Sequence, residues 1–464
     1  MDPTKLLTDS SVVCGVVAMP YPARGHINPM MNLCKQLVLK SPSIIVTFVV
    51  TEEWLGIIGE QTKPANIRFA TIPNVIPSER VRGKDFPGFL EAISTKMEAP
   101  FEELLDRLKH PVSAIVADTY LVWAVEVGSR RNIPVASLMT MSATVFSVLH
   151  HLELLVQNGH FPVELSERGD ELVDYIPGVP AMRLADLPAF LPGNGLKVKP
   201  LSWKCVLLVP KAQWLLFTCV HELEPQVFDT LRAEFSIPIY PIGPSIPYLE
   251  LRGNASGSSD GIFNGADYFH WLDSQPIHSV LYISFGSFYS VSDAQMDEMF
   301  GGVRDSGVRC LWVTRGNTAR FKDGCGDMGF VVPWCDQLKV LCHSSIGGFW
   351  THCGWNSTLE GVFAGVPMLT LPIIFDQFPN CKQIVEDWKV GWRIKQDVRS
   401  KDLVTRGEIS ELLKRFMDQE NNEGLKLRMR AKELQEACQR AIAEGGSTQN
   451  YLDAFITDIS RSQS

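Results

Sequence analysis

The stretch Gly347–Gly361 reads GGFWTHCGWNSTLEG. Its apolar start, ending at Phe349-Trp350, is typical of a buried strand. Gly354 predicts a turn, and a helix is expected to start near Asn356–Ser357 and to stop at Gly365-Val366-Pro367. A strand, a tight turn and a helix in this order direct backbone N–H groups and the N-terminus of a helix at one point. The stretch therefore predicts a βα unit that binds an anion.

Polar side chains would surround the same point. His352, Asn356 and Ser357 each offer a hydrogen-bond donor there. The alternative is a capping box, in which Ser357 and Glu360 only start the helix. Both interpretations explain these letters equally well. Trp355 favours the ligand site over the capping box, because helix capping does not explain a bulky aromatic residue beside a turn.

Short, branched apolar runs alternate with amphipathic stretches along most of the chain. Runs of this kind are typical of parallel strands buried on both faces, and the alternation is typical of βαβ units. The predicted strands are Val12–Met19, Ile44–Val50, Ile67–Thr71, Ala114–Ala117, Val135–Leu138, Val280–Phe285, Cys310–Thr314, Phe330–Val332, Ile346–Trp350 and Pro367–Leu371. The predicted helices include Pro29–Leu39, Phe86–Leu108, Tyr120–Arg130, Asp293–Val303 and Glu360–Ala364, with a helical chain from Lys401 onward.

This alternation is interrupted once. The break falls near Pro241-Ile242-Gly243-Pro244, and the segment 253–265 that follows is rich in Gly, Ser and Asn, which is typical of a flexible loop. We therefore predict an α/β fold with two doubly wound domains, 1–243 and 244–445. The last helix, 446–464, is expected to return to the first domain.

Composition excludes several classes of function. The chain has 464 residues, and 43 Lys and Arg against 52 Asp and Glu leave a net charge of −9. A nucleic-acid partner is therefore not expected, because binding a phosphate backbone needs a basic surface. Eleven cysteines without any C-x-x-C pair predict neither a disulfide framework nor a zinc module. No segment is typical of a signal peptide or a membrane span, so we expect a cytoplasmic protein.

Several catalytic motifs are missing or out of place. The letters of Gly324–Gly329 match the dinucleotide fingerprint G-x-G-x-x-G, but a polar loop precedes them and an apolar strand follows. A true fingerprint follows a strand and opens a helix. The chain also has no Walker-type loop, no G-x-S-x-G elbow and no H-E-x-x-H. Kinase, serine hydrolase and zinc protease functions therefore lose their main support.

The longer segment Trp334–Gln377 resembles the signature box of the plant secondary-product UDP-sugar glycosyltransferases, members of the GT-B superfamily. The likeness covers the spacing and about half of the letters, and the two-domain layout extends it over the whole chain. It implies two Rossmann-like domains facing each other across a cleft, with a UDP-sugar bound to the second. We call Trp334–Gln377 the signature segment.

The resemblance assigns nucleotide contacts to individual residues. Trp334 would stack on the uracil ring, and the backbone of Cys335 would read its edge. Gln337 and Glu360 would hold the ribose hydroxyls. Relatives usually have Ala-Pro where this chain has Cys335-Asp336, which adds a negative charge near the nucleotide and predicts a less rigid loop.

Further contacts are implied for the diphosphate and the sugar. His352, Asn356 and Ser357 would bind the diphosphate at the helix N-terminus that Gly354 opens. Ser287 would add a phosphate contact, although an ordinary βα turn would also explain it.

Four residues are implied to bind the donor sugar. Trp355, Asp376 and Gln377 would bind its hydroxyl groups, and Gln377 points to glucose. Thr140 matches a position that can touch the sugar, with a plain turn residue as the alternative.

A catalytic pair is predicted in the first half of the chain. Transfer to a hydroxyl group needs a base, and His is the side chain with an ordinary pKa near neutrality. His26 follows the first strand, and Asp118 ends the strand Ala114–Ala117 at the same sheet edge. A structural His26 and an N-cap role of Asp118 for a helix Thr119–Arg130 are the alternatives. The resemblance favours a base, His26, oriented by Asp118.

The expected activity is an inverting, metal-independent transfer from UDP-glucose that makes β-O-glucosides of small lipophilic acceptors such as phenolics, flavonoids, terpenoids or hormones. UDP-glucose would be a co-substrate, with no cofactor, no metal and a monomeric protein. The first domain would bind the acceptor, with loops at Ile76–Pro87, Met141–Leu149 and Pro188–Lys197. The rival interpretations are a sugar-nucleotide epimerase or hydrolase, which the signature segment disfavours, and a binding protein without catalysis, which His26 and Asp118 disfavour.

Overall fold

The computed structural model describes residues 14–59, 62–79, 85–188, 199–251, 266–286, 291–314, 328–395 and 402–461. Within these ranges the chain forms two parallel sheets flanked by helices, which confirms the predicted pair of Rossmann-like domains. The loop 253–265, Ser287 and most of Gly324–Gly329 lie outside the described residues.

The first sheet has seven parallel strands in the described part of the chain. In spatial order they are Ile67–Ile72, Ile44–Thr51, Cys14–Met19, Ala114–Asp118, Val135–Met139, Trp214–Phe217 and Ile239–Pro241. The strand order reverses between Cys14–Met19 and Ala114–Asp118, which makes their carboxyl ends the expected ligand edge. Trp214–Phe217 and Ile239–Pro241 were not predicted, because runs this short carry too little periodicity to be recognised.

The second sheet repeats this topology with six parallel strands in the described ranges. In spatial order they are Gly329–Val332, Arg309–Val313, Val280–Ser284, Ile346–Thr351, Met368–Thr370 and Gly391–Arg393. Its order reverses between Val280–Ser284 and Ile346–Thr351, so the predicted anion-binding turn follows a strand at the switch point. Of these strands, Gly391–Arg393 was not predicted.

Helices cover both sheets, and a small hairpin pairs Leu172–Val173 with Met182–Arg183. Phe86–Leu108, predicted as one helix, is two, and the predicted loop Met141–Leu149 is mostly helical, because its apolar side chains are buried on the sheet. The helices are Arg24–Lys40, Glu52–Ile58, Phe86–Lys96, Glu98–Arg107, Ala124–Arg131, Ala143–His150, Leu152–Gln157, Leu165–Arg168, Lys199–Leu208, Pro225–Glu234, Tyr248–Leu251, Ala266–Asp273, Asp293–Ser306, Gln337–Leu341, Trp355–Ala364, Gln377–Lys382, Arg406–Met417, Asn422–Ile442 and Ser447–Arg461. Among these helices, none has the length and apolar character needed to cross a membrane.

The two sheets share a continuous core and are joined by buried hydrogen bonds. Gln383 donates from Nε2 to Thr144 Oγ1 at 3.0 Å and to Glu224 Oε1 at 2.8 Å. Arg393 donates to Asp186 Oδ1 at 2.9 Å. A buried polar group that loses its partner costs free energy, so these contacts fix the position of one domain relative to the other.

The C-terminal helix Ser447–Arg461 packs on the first sheet. Phe455 is fully buried and lies 5.7 Å from the Trp214 ring, centroid to centroid. Asp458 accepts hydrogen bonds from Trp214 Nε1 at 3.0 Å and from the Tyr240 hydroxyl at 2.8 Å. The last helix is therefore part of the core of the first domain.

We expect Phe455→Ala to lower the free energy of unfolding by about 3–5 kcal/mol, because it leaves a cavity under this helix. Urea unfolding followed by tryptophan fluorescence measures the change. Thr457→Ala, on the exposed side of the same helix, should change stability by no more than about 0.5 kcal/mol. Equal effects of the two substitutions would contradict the assigned packing.

Candidate active site

His26 and Asp118 meet at the edge of the first sheet. His26 lies in the first turn of the helix Arg24–Lys40, and Asp118 is the last residue of its strand. His26 Nδ1 lies 2.7 Å from Asp118 Oδ2, with 16% of the histidine side chain exposed and none of the aspartate. Asp118 Oδ1 accepts from the Tyr120 backbone N–H at 2.9 Å. The alternative of an N-cap role for Asp118 is wrong, because the helix begins only at Ala124.

Thr140 belongs to the same cluster. Its hydroxyl lies 2.8 Å from His26 Nδ1 and 3.5 Å from Asp118 Oδ2, and the residue is 3% exposed. The predicted alternative of a plain turn residue is therefore wrong. The hydroxyl helps to hold the imidazole in place, and the exposed part of the ring faces away from these partners.

The anion-binding turn differs in detail from the prediction. Cys353, not Gly354, adopts the left-handed conformation, with φ 65°, and the helix Trp355–Ala364 starts directly after Gly354. No side chain caps this helix, so Ser357 lies inside it and the predicted capping box is wrong. Uncapped N–H groups at a helix N-terminus are suited to bind an anion.

Gly354 is required for space, because His352 packs between two glycines. A Cβ atom on Gly354 would lie 2.5 Å from His352 Nε2, and one on Gly286, which has φ +72°, would lie 2.6 Å away. Burial lowers the pKa of His352 to about 4. The imidazole is therefore neutral at pH 7, and an anion there would meet a dipole and not a full positive charge.

Gln337, Ser357 and Glu360 form one hydrogen-bonded group. Gln337 Nε2 donates to Ser357 Oγ at 3.0 Å and to Glu360 Oε2, while its Oε1 accepts from the Tyr282 hydroxyl at 3.0 Å. Desolvation raises the pKa of Glu360 to about 7, opposed by the bond from Gln337. Gln337 and Glu360 are well placed for the predicted contact to the two ribose hydroxyl groups.

Trp334 and its neighbours form the end of the signature segment that is predicted to bind the uracil ring. Trp334 is 56% exposed, which leaves an aromatic face open for stacking. Cys335 is buried, with its Sγ 3.4 Å from the Tyr282 hydroxyl. Asp336 caps the helix Gln337–Leu341 and forms an ion pair with Lys339 at 2.9 Å. The added charge is therefore balanced locally, and Asp336 serves as a helix cap.

Asp376 and Gln377 close the segment at the mouth of the cleft. Asp376 Oδ2 accepts from Asn380 Nδ2 at 2.8 Å, and burial raises the pKa of Asp376 to about 6. The carbonyl end of Gln377 accepts from the backbone N–H groups of Ile373 and Ile374, at 2.8 and 3.0 Å. The amide NH₂ of Gln377 is therefore the end available to a ligand.

The first domain touches the anion-binding turn directly. Asn356 Nδ2 donates to the backbone oxygen of Gly25 at 2.9 Å, which joins the helix N-terminus to the turn that carries His26. Asp376 is close enough to His26 for the two to interact electrostatically. Trp355, by contrast, buries its indole against Trp388, with ring centroids 6.2 Å apart.

Three residues that support the site were not predicted from sequence. Tyr282 and Gly286 lie in and after an apolar strand, and no pattern distinguishes them from core and turn residues. Asn380 carried a usable signal, because it lies four residues after Asp376, the spacing of neighbours on one helix face. Ser287, the remaining predicted phosphate contact, lies outside the described residues.

The cleft joins an uncapped helix N-terminus, the buried carboxylate of Glu360 and a histidine–carboxylate pair, an arrangement suited to a nucleotide-sugar-dependent transferase. The family described as "UDP-glucoronosyl and UDP-glucosyl transferase" matches residues 264–422. UDP-glycosyltransferase 87A1 of Arabidopsis thaliana is 53% identical over 446 residues, covering 96% of this chain and 100% of the relative.

Solved structures agree with this assignment. Medicago truncatula UGT71G1 complexed with UDP-glucose has a TM-score of 0.81 at 25% identity, over 96% of this chain and 98% of that one. Phytolacca americana UGT2 complexed with UDP-2fluoro-glucose and pterostilbene has a TM-score of 0.80 at 26% identity, over 97% of this chain and 100% of that one. The chain belongs to the plant UDP-glycosyltransferase family, and it is an enzyme with the GT-B fold.

We expect Gly354→Ala to weaken UDP binding by about tenfold or more, because the added methyl group would displace His352 from the turn. Isothermal titration with UDP measures the loss. Gly407→Ala is the matched control, since a Cβ there meets no atom within 4 Å. Unchanged affinity in Gly354→Ala would show that the position of His352 does not matter for the donor.

Proposed function

We propose that this enzyme is an inverting UDP-glucose-dependent glucosyltransferase that makes β-O-glucosides of small lipophilic acceptors. Residues 1–243 would bind the acceptor, and residues 244–445 would bind the donor. The observation that carries the proposal is the His26–Asp118 pair, 2.7 Å apart, in front of the signature segment.

The pair suits His26 for the role of general base. With Nδ1–H donated to Asp118, the other nitrogen, Nε2, keeps its lone pair for a proton. Asp118 would stabilise the imidazolium that forms, and Thr140 would help to keep the ring oriented. The acceptor hydroxyl would give its proton to His26 Nε2 as its oxygen attacks the anomeric carbon.

The reaction would be a single displacement. The new bond joins the acceptor oxygen to C1 of glucose, while the bond from C1 to the phosphate oxygen breaks and its electron pair leaves with UDP. Attack opposite to the leaving group converts an α-linked donor into a β-glucoside. The helix N-terminus at Gly354, with the neutral His352, would stabilise the charge that develops on the diphosphate.

Unpartnered polar atoms support donor binding at the signature segment. Among the described residues, five buried atoms without a hydrogen-bond partner lie in the segment, and Asn380 Oδ1 follows three residues after it. The five are Trp350 Nε1, His352 Nδ1, Trp355 Nε1, Asn356 Oδ1 and Thr358 Oγ1. A buried polar atom without a partner costs about 1–3 kcal/mol, which a polar ligand can offset. Asp376 and the amide of Gln377 are the groups we assign to glucose hydroxyls.

Aromatic side chains around His26 support a lipophilic acceptor. The rings of Tyr21 and Tyr120 lie 4.9 and 6.1 Å from the His26 ring, measured between centroids. Phe86 lies 6.4 Å from Phe89 and 5.4 Å from Phe375 of the second domain. A flat apolar acceptor with one hydroxyl group, such as a phenolic, flavonoid, terpenoid or hormone, would pack against these aromatic rings. We also propose a monomeric, cytoplasmic enzyme whose reaction needs no metal or other cofactor.

Incubation with UDP-glucose and a panel of phenols and alcohols, followed by UDP release and product mass, tests the function. We expect transfer to at least one acceptor and a preference for UDP-glucose over UDP-galactose and UDP-glucuronate. In His26→Ala the rate should fall by about 10²- to 10⁴-fold while UDP binding persists, because only the base is removed.

His110→Ala, at an exposed histidine that contacts Arg68, is the control and should keep full activity. Full activity in His26→Ala would refute the base assignment. UDP binding without transfer to any acceptor would favour a binding protein, and a preference for another UDP-sugar would overturn the assignment of glucose.

Donor affinity should depend on pH through Glu360. The ionised carboxylate accepts ribose hydroxyl protons better than the acid does, and the pKa of Glu360 is about 7. We therefore expect the Kd for UDP-glucose to rise by up to about tenfold from pH 8 to pH 6. UDP-glucose is the right probe because its diphosphate does not titrate in this range.

Glu360→Gln removes this titration and should flatten the profile. Asp376, with a pKa of about 6, titrates in both proteins, so the difference between the two profiles isolates Glu360. Identical profiles would contradict its contact with the ribose.

A further inference from the structure

Two histidines and a glutamate meet on the surface of the first domain, away from the signature segment. His150 ends the helix Ala143–His150, His151 follows it, and Glu234 ends the helix Pro225–Glu234. His151 Nε2 lies 3.2 Å from Glu234 Oε1, and His150 Nε2 lies 3.7 Å from Glu234 Oε2. One ligand atom from each residue lies within 4.8 Å of the others.

The hydrogen bonds of His151 leave a lone pair directed at the carboxylate. Its Nδ1 lies 2.9 Å from the backbone oxygen of Ser147, which can only accept, so Nδ1 must carry a proton. In the neutral ring Nε2 is then an acceptor that faces another acceptor at 3.2 Å. Two acceptors this close need a cation between them, either a proton on Nε2 or a metal ion.

The distances from the two imidazoles to the carboxylate suit a metal ion. Two ligands about 2.0–2.2 Å from a tetrahedral zinc ion lie about 3.4 Å apart, between the 3.2 and 3.7 Å that separate the imidazoles from Glu234. The three ligand atoms now lie within 4.8 Å of one another, and a bound ion would draw them closer together. A ligating histidine also commonly donates its second ring N–H to a backbone carbonyl, as His151 does to Ser147.

Electrostatics and access favour the same ion. The cluster lies at the C-terminal ends of two helices, where the partial negative charge of the backbone attracts a cation. The side chains of His150, His151 and Glu234 are 25%, 12% and 29% exposed, so an ion and a completing water can enter.

We propose that His150, His151 and Glu234 bind one Zn²⁺ ion, with water as the fourth ligand. The ion would tie together the C-terminal ends of the two helices. Their N-terminal ends are already joined, because Glu224 accepts from the backbone N–H groups of Ala143 and Thr144 at 2.9 and 2.8 Å. The site is structural and independent of the transfer reaction, so it does not rest on the proposed function.

The test uses the full chain, stripped with EDTA and desalted, in a Cys342→Ser background that removes an exposed thiol. Zn²⁺ is titrated against a chromophoric chelator. We expect one equivalent to bind, with affinity at least about tenfold lower in His151→Gln, since removing even a supporting hydrogen bond costs a metal site that much. Zn²⁺ should raise the melting temperature of the parent and not of the variant.

Glu234→Gln repeats the test at the second helix and decides the outcome if His151→Gln does not fold. His221→Gln is the matched control, because His221 also faces a carboxylate, Asp229 at 3.3 Å, as a single imidazole. It should keep full Zn²⁺ affinity. Co²⁺ should give the visible absorption of a four-coordinate site in the parent and in the His221→Gln control, and not in the two site variants. No stoichiometric Zn²⁺ binding, or equal affinity in the parent and in both site variants, would overturn the proposal.

Discussion

Parallel strand pairing is the constraint on which both halves of the cleft depend. Met19 pairs with Ala117 in the first sheet, and Ser284 pairs with Thr351 in the second. Because parallel strands end at the same edge, the segments that follow them are brought together however far apart they lie in the chain. His26 and Asp118 meet in this way across 92 residues. The anion-binding turn lies beside Gly286 for the same reason.

The site around this edge carries local costs that the rest of the fold must offset. Cys353 holds a left-handed backbone, which is unfavourable for a residue with a Cβ. Burial raises the pKa of Glu360 and of Asp376 and lowers that of His352, so burial disfavours the charged form of all three groups. Such groups cluster where ligands bind, because the ligand supplies the missing partners.

The two domains are held together by a small number of buried polar contacts. Glu224 is central among them, since its carboxylate caps the helix Ala143–His150 and also accepts from Gln383 of the second domain. The same helix begins close to Thr140 and ends at the histidine pair proposed to bind zinc. One rigid helix therefore connects the sheet edge that carries His26 and Asp118, the domain interface and the surface cluster.

The sequence by itself determined the class of fold, and the resemblance of one segment to a family signature indicated where the donor is expected to bind. Periodicity is a local property, and the long apolar runs carry it without reference to the remaining chain, while Trp334–Gln377 was recognised by its resemblance to a family signature. Periodicity did not reveal three short strands, Trp214–Phe217, Ile239–Pro241 and Gly391–Arg393. Only the tertiary structure decided which side chains are partners. It showed that Cys353 and not Gly354 turns the chain, that Ser357 bonds to Gln337 instead of capping the helix, and that the Thr140 hydroxyl lies on the His26–Asp118 pair. These contacts join residues far apart in the chain, and such pairings exist only once the sheets have formed.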